Sequence, residues 1–271
     1  MRKIASALSL ALAACAGEPR AEAKAEGERV TSLSEISGPW DIVRFGGHAP
    51  ARLDSSGLRH AYVDVGRDSL SYTIECNYSG NRARMDEAGI LHDEDGGSRT
   101  MTLMSCGPEA DARDGAFYGF FARKPLVRWG AGGRLVMASG AIRLVLERPE
   151  ARRLAHVPPL RELEGRWVPQ MASRLVGSSG HEGWGFQQPE TLAIEGGRLS
   201  YSGCGGVSLS FRYGADGRLA TSGGEVPAAC GTENPGTMLL KVLRAGPLVE
   251  RTADGGIALT SGREIVSLKR Q

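Results

Sequence analysis

Residues 123–148 read RKPLVRWGAGGRLVMASGAIRLVLER, and residues 244–270 read RAGPLVERTADGGIALTSGREIVSLKR, so one pattern occurs twice in the chain. In each copy a Pro-Leu-Val segment leads through a glycine-containing turn into further apolar runs, which is typical of consecutive antiparallel hairpins. The two Pro-Leu-Val segments lie 122 residues apart. A repeat of this length predicts two tandem domains that share one fold.

Two earlier stretches repeat at a similar distance. ISGPW at 36–40 is echoed by LEGRW at 163–167. SLSYTIECN at 69–77 is echoed by RLSYSGCGG at 198–206. The matches keep the same order in both halves, which supports the tandem arrangement.

The repeats set the domain boundaries. We place the first domain at residues 34–149 and the second at residues 160–271. Residues 150–159 are predicted as a linker, because RPEARRLAHVPP, which ends at residue 159, carries three prolines and mixed charge.

Each domain is predicted to consist mainly of short strands. TLAIEGGRLSYSG at 191–203 has a Gly-Gly turn between two alternating runs, and VSLSFRYGADGRLATSG at 207–223 turns at Ala-Asp-Gly. One short helix is predicted in each domain, at 108–123 and at 234–245. The predicted fold class is therefore mainly β, with two small antiparallel sheets that each curl into a barrel-like form.

The N-terminus, MRKIASALSLALAACAGEP, has two cations followed by a short apolar stretch. Residues 1–14 are predicted as a signal peptide. Leu-Ala-Ala-Cys, which ends at Cys15, resembles the lipobox of bacterial lipoproteins, in which the cysteine is lipidated and becomes the first residue. The resemblance implies a lipid on Cys15, a flexible tether at 15–33 and, because residue 16 is Ala rather than Asp, retention at the outer membrane. The alternative is an ordinary signal peptide with a chance cysteine beside the cleavage site.

Charge excludes one class of partner. The chain carries a net charge of +2, and removal of Arg2 and Lys3 with the signal peptide leaves as many basic as acidic side chains. A neutral chain has no electrostatic basis for binding nucleic acid. We therefore predict no nucleic-acid partner.

Four cysteines remain after Cys15, namely Cys76, Cys106, Cys204 and Cys230. None has a Cys or His neighbour at the spacing of a zinc site. In an oxidising compartment four cysteines predict two disulfides, for which three pairings exist. Pairing within each domain, Cys76 with Cys106 and Cys204 with Cys230, is the economical choice.

Other candidate residues give weak signals. The five histidines (His48, His60, His92, His156 and His181) form no metal-binding motif, so no metal or cofactor is predicted. HDEDGGS at 92–98 lacks the spaced acids of a calcium loop. GHEGWGFQQPE at 180–190, with Glu182 and Trp184, is either an exposed loop or a sugar- or peptide-binding edge.

Short motifs in the first domain carry a family resemblance. A Leu-x-Gly-x-Trp pattern opens the domain with Ile at its first position, Cys-Asn follows a hairpin, and Thr-x-Met-x-Cys precedes the acidic, aromatic helix. The positions are Ile36, Gly38, Trp40, Cys76, Asn77, Thr102, Met104 and Cys106. Together they resemble the META domain of HslJ-like bacterial envelope proteins.

The second domain is predicted to be a diverged copy. It keeps five of the motif positions, namely Leu163, Gly165, Trp167, Cys204 and Cys230. Gly205 replaces the Asn, and the Thr and Met are missing.

The resemblance implies a small curled β domain, often linked to envelope or heat stress, with no established catalytic site. We therefore expect a non-enzymatic lipoprotein that faces the periplasm, with the membrane as one partner and an envelope protein as another. Two alternatives stay open: a β-barrel carrier of a small apolar ligand, and an inhibitor of a lysozyme-type hydrolase. The sequence leaves the oligomeric state open.

Overall fold

The computed structural model describes residues 27–94, 100–102, 104–176, 180–187, 189–224, 231 and 234–271. The predicted signal peptide and Cys15 lie outside these residues. The predicted tether is shorter than expected, because the chain from residue 27 onward packs on the first domain. The backbone N–H of Gly27 donates to the Trp129 carbonyl at 2.8 Å, and Val30 and Leu33 are buried in the first core.

Nine strands and one long helix form the first domain in the described part of the chain. The strands are β1 (Gly38–Phe45), β2 (Tyr62–Val65), β3 (Ser69–Thr73), β4 (Ser79–Met85), β5 (Leu91–Asp93), β6 (Thr100–Met101), β7 (Leu126–Trp129), β8 (Leu135–Ser139) and β9 (Ile142–Glu147), and helix α1 (Pro108–Ala122) lies between β6 and β7. Short 3₁₀ helices occupy Leu33–Ile36 and Ala131–Gly133.

All neighbouring strands of this sheet are antiparallel, in the order β5-β4-β3-β2-β1-β9-β8-β7, and β6 also pairs with β4. A bridge between Ile90 and Leu126 brings the two ends of the sheet together. The Val127 N–H donates to the Gly89 carbonyl at 2.8 Å beside it. The sheet is thus curled into a nearly closed barrel, which leaves little free strand edge.

A short helix, α2 (Pro149–Leu154), occupies the first half of the linker, and another, α3 (Leu160–Leu163), begins directly after it. The second domain then repeats the plan, again with nine strands in the described residues. They are β10 (Gly165–Val176), β11 (Gly180–Gly185), β12 (Leu192–Glu195), β13 (Arg198–Tyr201), β14 (Val207–Tyr213), β15 (Leu219–Ser222), β16 (Leu248–Arg251), β17 (Ile257–Ser261) and β18 (Glu264–Arg270), with helix α4 (Pro235–Arg244) between β15 and β16.

The second sheet has the order β15-β14-β13-β12-β10-β18-β17-β16, and β11 pairs with β10. A bridge between Arg218 and Leu248 closes it in the same manner as the first. Because the strand order, the closing bridge and the helix position recur, the two sheets are copies of one architecture. The predicted fold class, mainly β with two barrel-like sheets, is confirmed.

Each barrel is filled by its own side chains. In β9, for example, Leu144 and Leu146 are fully buried whereas Arg143, directly before Leu144, is exposed, as the period of two requires. Helix α1 adds Phe117 and Phe121, which contact the Tyr72 ring with centroids 5.6 and 4.3 Å away. Separate apolar clusters form the two cores.

The connection after the first strand differs between the domains. In the first domain, residues 46–61 reach the second domain, where Leu53 packs with Ala258 and Ile265. Gly57 (φ +82°) lies so close that a Cβ would meet the Ala258 Cβ at 2.8 Å. In the second domain, the corresponding segment forms a hairpin of β10 with β11. The described chain contains no helix long and apolar enough to cross a bilayer.

Candidate functional site

Asn77 is the centre of the first-domain motif. Its Oδ1 accepts hydrogen bonds from the Met104 N–H at 2.7 Å and the Thr102 hydroxyl at 3.2 Å. Its Nδ2 donates to the Met104 carbonyl at 2.9 Å, and its backbone N–H donates to Asp114 of α1, also at 2.9 Å. The Tyr118 hydroxyl donates to the Asn77 carbonyl. These hydrogen bonds connect the segment before α1 to the sheet. We call the group formed by Asn77, Thr102, Met104 and Asp114 the clasp.

A disulfide lies beside this clasp. Cys76 and Cys106, which the sequence analysis pairs, are bonded to each other with a Cα–Cα distance of 6.1 Å. This distance lies within the ordinary range for disulfides. Cys204 is also a disulfide-bonded cysteine. Cys230 lies outside the described residues, so the pairing of these two stays a prediction.

The second domain cannot form the clasp. Gly205, at the position of the Asn, has no side chain to accept or donate and adopts a left-handed backbone with φ +81°. The preceding Cys204 has a φ of +54°, which is unusual for a residue other than glycine. The clasp is therefore a property of the first domain, as the divergence of the motif predicts.

The tryptophans of the opening motif make the same hydrogen bond in both domains. The Trp40 indole N–H donates to the Ile36 carbonyl at 2.7 Å, and the Trp167 indole N–H donates to the Leu163 carbonyl at 2.7 Å. All four side chains are buried. The Leu-x-Gly-x-Trp motif thus fixes the turn that leads into the first strand of each barrel.

A cation covers each of these rings. The Arg148 guanidinium lies 3.8 Å from the Trp40 ring centroid, and Arg270 lies 5.6 Å from that of Trp167. The motif glycines make room for them: Gly38 and Gly165 have positive φ, and a Cβ there would lie 3.4 and 3.3 Å from the guanidinium. These motif residues therefore have a structural role.

The histidines are distributed over different surroundings. His48 and His60 lie 2.8 and 3.6 Å from the Glu75 carboxylate. A hydrogen bond from His92 holds the pKa of the Asp86 carboxyl below its ordinary value. Among the described residues no group of three or more His, Cys, Asp or Glu side chains is arranged to hold a metal ion. Residues 95–98 of the HDEDGGS stretch lie outside the described residues.

A cleft of about 400 Å³ lies between the β10–β11 hairpin and the start of α4. The hairpin contributes Arg174, Glu182 and Trp184 to one wall, and Glu264 of β18 adjoins them. The opposite wall comes from α4 and the residue before it: Asn234, Pro235, Thr237, Met238 and Lys241. The GHEGWGFQQPE stretch therefore forms part of a cleft, and its Glu182 and Trp184 both line the wall of that cleft.

Ion pairs hold three of the four charged residues of the cleft. The Glu264 carboxylate accepts from Lys241 of α4 and lies 3.5 Å from an Arg174 nitrogen. Arg174 is paired in register with Glu264 on one side and with Glu182 on the other. The Arg174 guanidinium also lies 5.9 Å from the Trp184 ring centroid. The cleft thus alternates cations with carboxylates beside an aromatic ring.

A second charged network lies between the domains. Asp41 is fully buried and accepts from Arg52 Nε at 2.8 Å and from Arg59 Nε at 2.5 Å. Arg52 also forms an ion pair with Glu250 of the second domain. Burial raises the pKa of the Glu250 carboxyl, although Arg52 acts in the opposite direction. This network joins the two domains.

His156 of the linker lies near this network. Burial, followed by the charges of Arg152 and Arg52, lowers the pKa of His156. The sequence gives no sign of the network, because its members come from segments far apart along the chain.

No protein-family model matches the chain, and no curated protein matches it. The resemblance to the META domain therefore stays a prediction. Two solved structures are similar to the chain. An NMR structure of a protein from Burkholderia xenovorans is 16% identical, with a TM-score of 0.35, over 49% of this chain and 97% of that one. A crystal structure of a protein of unknown function of the DUF3598 family from Nostoc punctiforme is 12% identical, with a TM-score of 0.18, over 88% of this chain and 97% of that one. Both TM-scores are too low to carry an argument.

Proposed function

We propose that the protein is a non-enzymatic lipoprotein of the bacterial envelope, held at the outer membrane through Cys15, that binds an envelope component through the cleft of its second domain. The observation that carries the binding role is Trp184. This indole remains 36% exposed at the wall of a cleft in which ion pairs hold Arg174, Lys241 and Glu264. An exposed aromatic ring within a concave site is a common mark of a binding surface.

Two observations support the envelope location. The Cys76–Cys106 disulfide suits an oxidising compartment, in which disulfides form and persist. The chain from residue 27 onward already packs on the first domain. Only about ten residues would then separate the lipidated cysteine from the fold, so the first domain would remain close to the membrane surface.

The non-enzymatic role is supported by how the motif residues are used. Asn77, Thr102 and Asp114 are engaged in the clasp, and the buried tryptophans hold the strand entries. The structural partners of these groups account for their presence without a catalytic role. The cleft, in contrast, combines exposed donors and acceptors around one ring, which suits recognition.

The two alternatives differ in their support. A carrier of an apolar ligand needs an internal cavity, whereas the interior of each barrel is occupied by core side chains. The hydrolase inhibitor is the second candidate, because the β10–β11 hairpin extends the second barrel and has no counterpart in the first sheet. An inhibitor would present this hairpin to the active site of its target.

The experiment compares the wild-type lipoprotein with Cys15→Ser and Trp184→Ala in cells. Labelling with an alkyne fatty acid should mark the wild type and Trp184→Ala but not Cys15→Ser. Cross-linking and purification from the envelope should recover a partner with the wild type and lose it with Trp184→Ala. Leu160→Ala, a substitution of an exposed apolar residue in the short helix α3, is the matched control.

Two results would contradict the proposal: fatty-acid labelling of Cys15→Ser, or an identical set of cross-linked partners for Trp184→Ala and the wild type. Inhibition of lysozyme by the wild type, lost in Trp184→Ala, would select the inhibitor role instead.

A further inference from the structure

We infer that the cleft between the β10–β11 hairpin and α4 binds a neutral oligosaccharide. The inference rests on the proposed function, because it names the class of envelope component that the cleft would bind. It is carried by an exposed indole, a balanced set of charged side chains and the ion pairs that hold three of those side chains.

The hairpin that builds the cleft is an addition specific to the second domain. Strand β10 has 12 residues whereas β1 has eight, and the extra length pairs with β11. Glu182 and Trp184 alternate with Gly183, so both side chains face the cleft while the intervening residue does not. The second domain therefore has an extended sheet face, and the start of α4 forms the opposite wall.

Trp184 provides a flat apolar surface in this cleft. Of the four tryptophans, Trp40 and Trp167 are buried, Trp129 is partly buried, and Trp184 is the most exposed. Sugar rings present one face of C–H groups, which can cover an aromatic ring, and a rim of hydroxyl groups. An exposed indole beside polar groups suits such an amphipathic ligand.

The charged groups of the cleft cancel one another. Arg174 and Lys241 provide cationic donors, and Glu182 and Glu264 provide carboxylate acceptors. No described residue forms a hydrogen bond or an ion pair with the Glu182 carboxylate, which leaves it available as an acceptor. A hydroxyl group both donates and accepts, so a ligand rich in hydroxyls can use both kinds of group.

The same balance disfavours charged ligands. An anionic polymer would place its charge near two carboxylates, and a cationic peptide would place its charge near Arg174 and Lys241. A neutral ligand meets neither repulsion. The cleft volume of about 400 Å³ lies in the range of small-molecule sites and suits a short oligosaccharide.

Two donors of the cleft are also preorganised before a ligand binds. Glu264 is only 8% exposed, and it holds Arg174 from the hairpin and Lys241 from α4. Side chains that are already ordered lose less conformational entropy on binding. Glu264 is therefore a positioning residue that fixes both donors at the mouth of the cleft.

The test uses the full-length lipoprotein in a detergent without sugar groups. Triacetylchitotriose, cellotriose and maltotriose are offered as probes, and binding is measured by saturation-transfer NMR and by calorimetry. We expect at least one trisaccharide to bind, with the strongest saturation transfer on the C–H groups of one ring face. Trp184→Ala should weaken binding at least about tenfold, and Trp184→Tyr should restore most of it.

Leu175→Ala is the matched control, because Leu175 is an exposed residue of the same hairpin that does not line the cleft. It should bind like the wild type, and circular dichroism should show that all variants are folded. If no trisaccharide binds at concentrations up to about 10 mM, the oligosaccharide inference is overturned.

The outcomes separate this inference from the proposed function. If no sugar binds but Trp184→Ala still loses a protein cross-link in the envelope, the cleft binds a protein or peptide and the proposed function stands. If Trp184→Ala changes neither sugar binding nor cross-linking, both proposals fail.

Discussion

Arg52 of the first domain and Glu250 of the second form an ion pair that is almost completely buried where the two domains meet. Arg52 also donates from its Nε to the buried Asp41 at 2.8 Å. The order is therefore carboxylate, guanidinium, carboxylate, with the cation in the middle. A buried charge is tolerated only while its partners remain, so the contact between the domains depends on Arg52.

We predict that Arg52→Ala lowers the free energy of unfolding by about 3–5 kcal/mol, because it leaves Glu250 buried without its cation. Urea unfolding of the purified chain measures the change. The matched control is Arg134→Ala, which removes an ion pair between the half-exposed Arg134 and Glu147; such a pair should contribute about 1 kcal/mol or less. Equal losses of stability in the two variants would contradict the prediction, because they would show that burial does not raise the cost of breaking the Arg52–Glu250 pair.

The second prediction concerns pH. The pKa of His156 is lowered in the folded chain by burial and by Arg152 and Arg52. The unfolded chain therefore takes up a proton at this residue as the pH falls below its ordinary value near 6.5, while the folded chain does not. This contribution to stability is present above that pH and is lost as the pH falls toward the folded pKa.

His156→Gln should remove this part of the pH dependence. The difference in melting temperature between the wild type and the variant is measured from pH 7.5 downward to pH 5.5 (about one unit on either side of the ordinary histidine value). His181→Gln, on the exposed strand β11, is the control. A difference that stays constant over the whole range would contradict the prediction.

The sequence predicts the two barrels well, because alternation and turn residues are local signals that occur in both halves. It cannot predict the face that each barrel turns toward the other. In β16, Val249 points into the core and Glu250 should by alternation face water, yet the first domain covers it. The sequence does not predict the cleft either, because Arg174 and Lys241 come together only when α4 packs beside the hairpin. The predicted end of the tether at residue 33 also lies beyond the point where the chain begins to pack, because Val30 and Leu33 are isolated apolar residues that give no periodic signal.

The third prediction uses the two domains as controls for each other. Trp40→Phe and Trp167→Phe each remove an indole N–H and leave a buried carbonyl without its donor. Each should cost about 1–3 kcal/mol, and the two costs should be similar. Thermal or urea unfolding measures both.

Trp129→Phe provides the comparison for the loss of ring volume. The Trp129 indole nitrogen is buried and has no hydrogen-bond partner in the part of the chain that the structure describes, so removal of its N–H should cost less than either motif substitution. A cost for Trp129→Phe that equals that of Trp40→Phe would mean that ring size, rather than the hydrogen bond, determines the effect.

The fourth prediction concerns the clasp. Asn77→Ala removes the side-chain partners of the Met104 N–H and carbonyl. Because Met104 is largely exposed, water can replace these partners, so each lost hydrogen bond should cost about 0.5–1.5 kcal/mol. Asn81→Ala is the matched control, because both polar atoms of the buried Asn81 side chain lack partners among the described residues. Faster hydrogen exchange at the Met104 amide in Asn77→Ala but not in Asn81→Ala would locate the effect. An unchanged exchange rate of the Met104 amide in Asn77→Ala would show that the Asn77 side chain does not hold this segment.

The last prediction concerns the disulfides. Cys76 and Cys106 are 30 residues apart, and a cross-link over such a loop stabilises a fold by about 3–4 kcal/mol in the chain-entropy model. The double substitution Cys76→Ser with Cys106→Ser should therefore lower the free energy of unfolding by that amount. A reducing agent should lower the free energy of unfolding of the wild type more than that of the variant, because the variant no longer has this bond.

Non-reducing peptide mapping of protein from the envelope should recover the Cys76–Cys106 peptide and a Cys204–Cys230 peptide. A Cys76–Cys204 or Cys106–Cys230 peptide would instead join the two barrels covalently and would contradict the assignment of one disulfide to each domain. Four free thiols would contradict both the bonds and the oxidising compartment on which the envelope location partly rests.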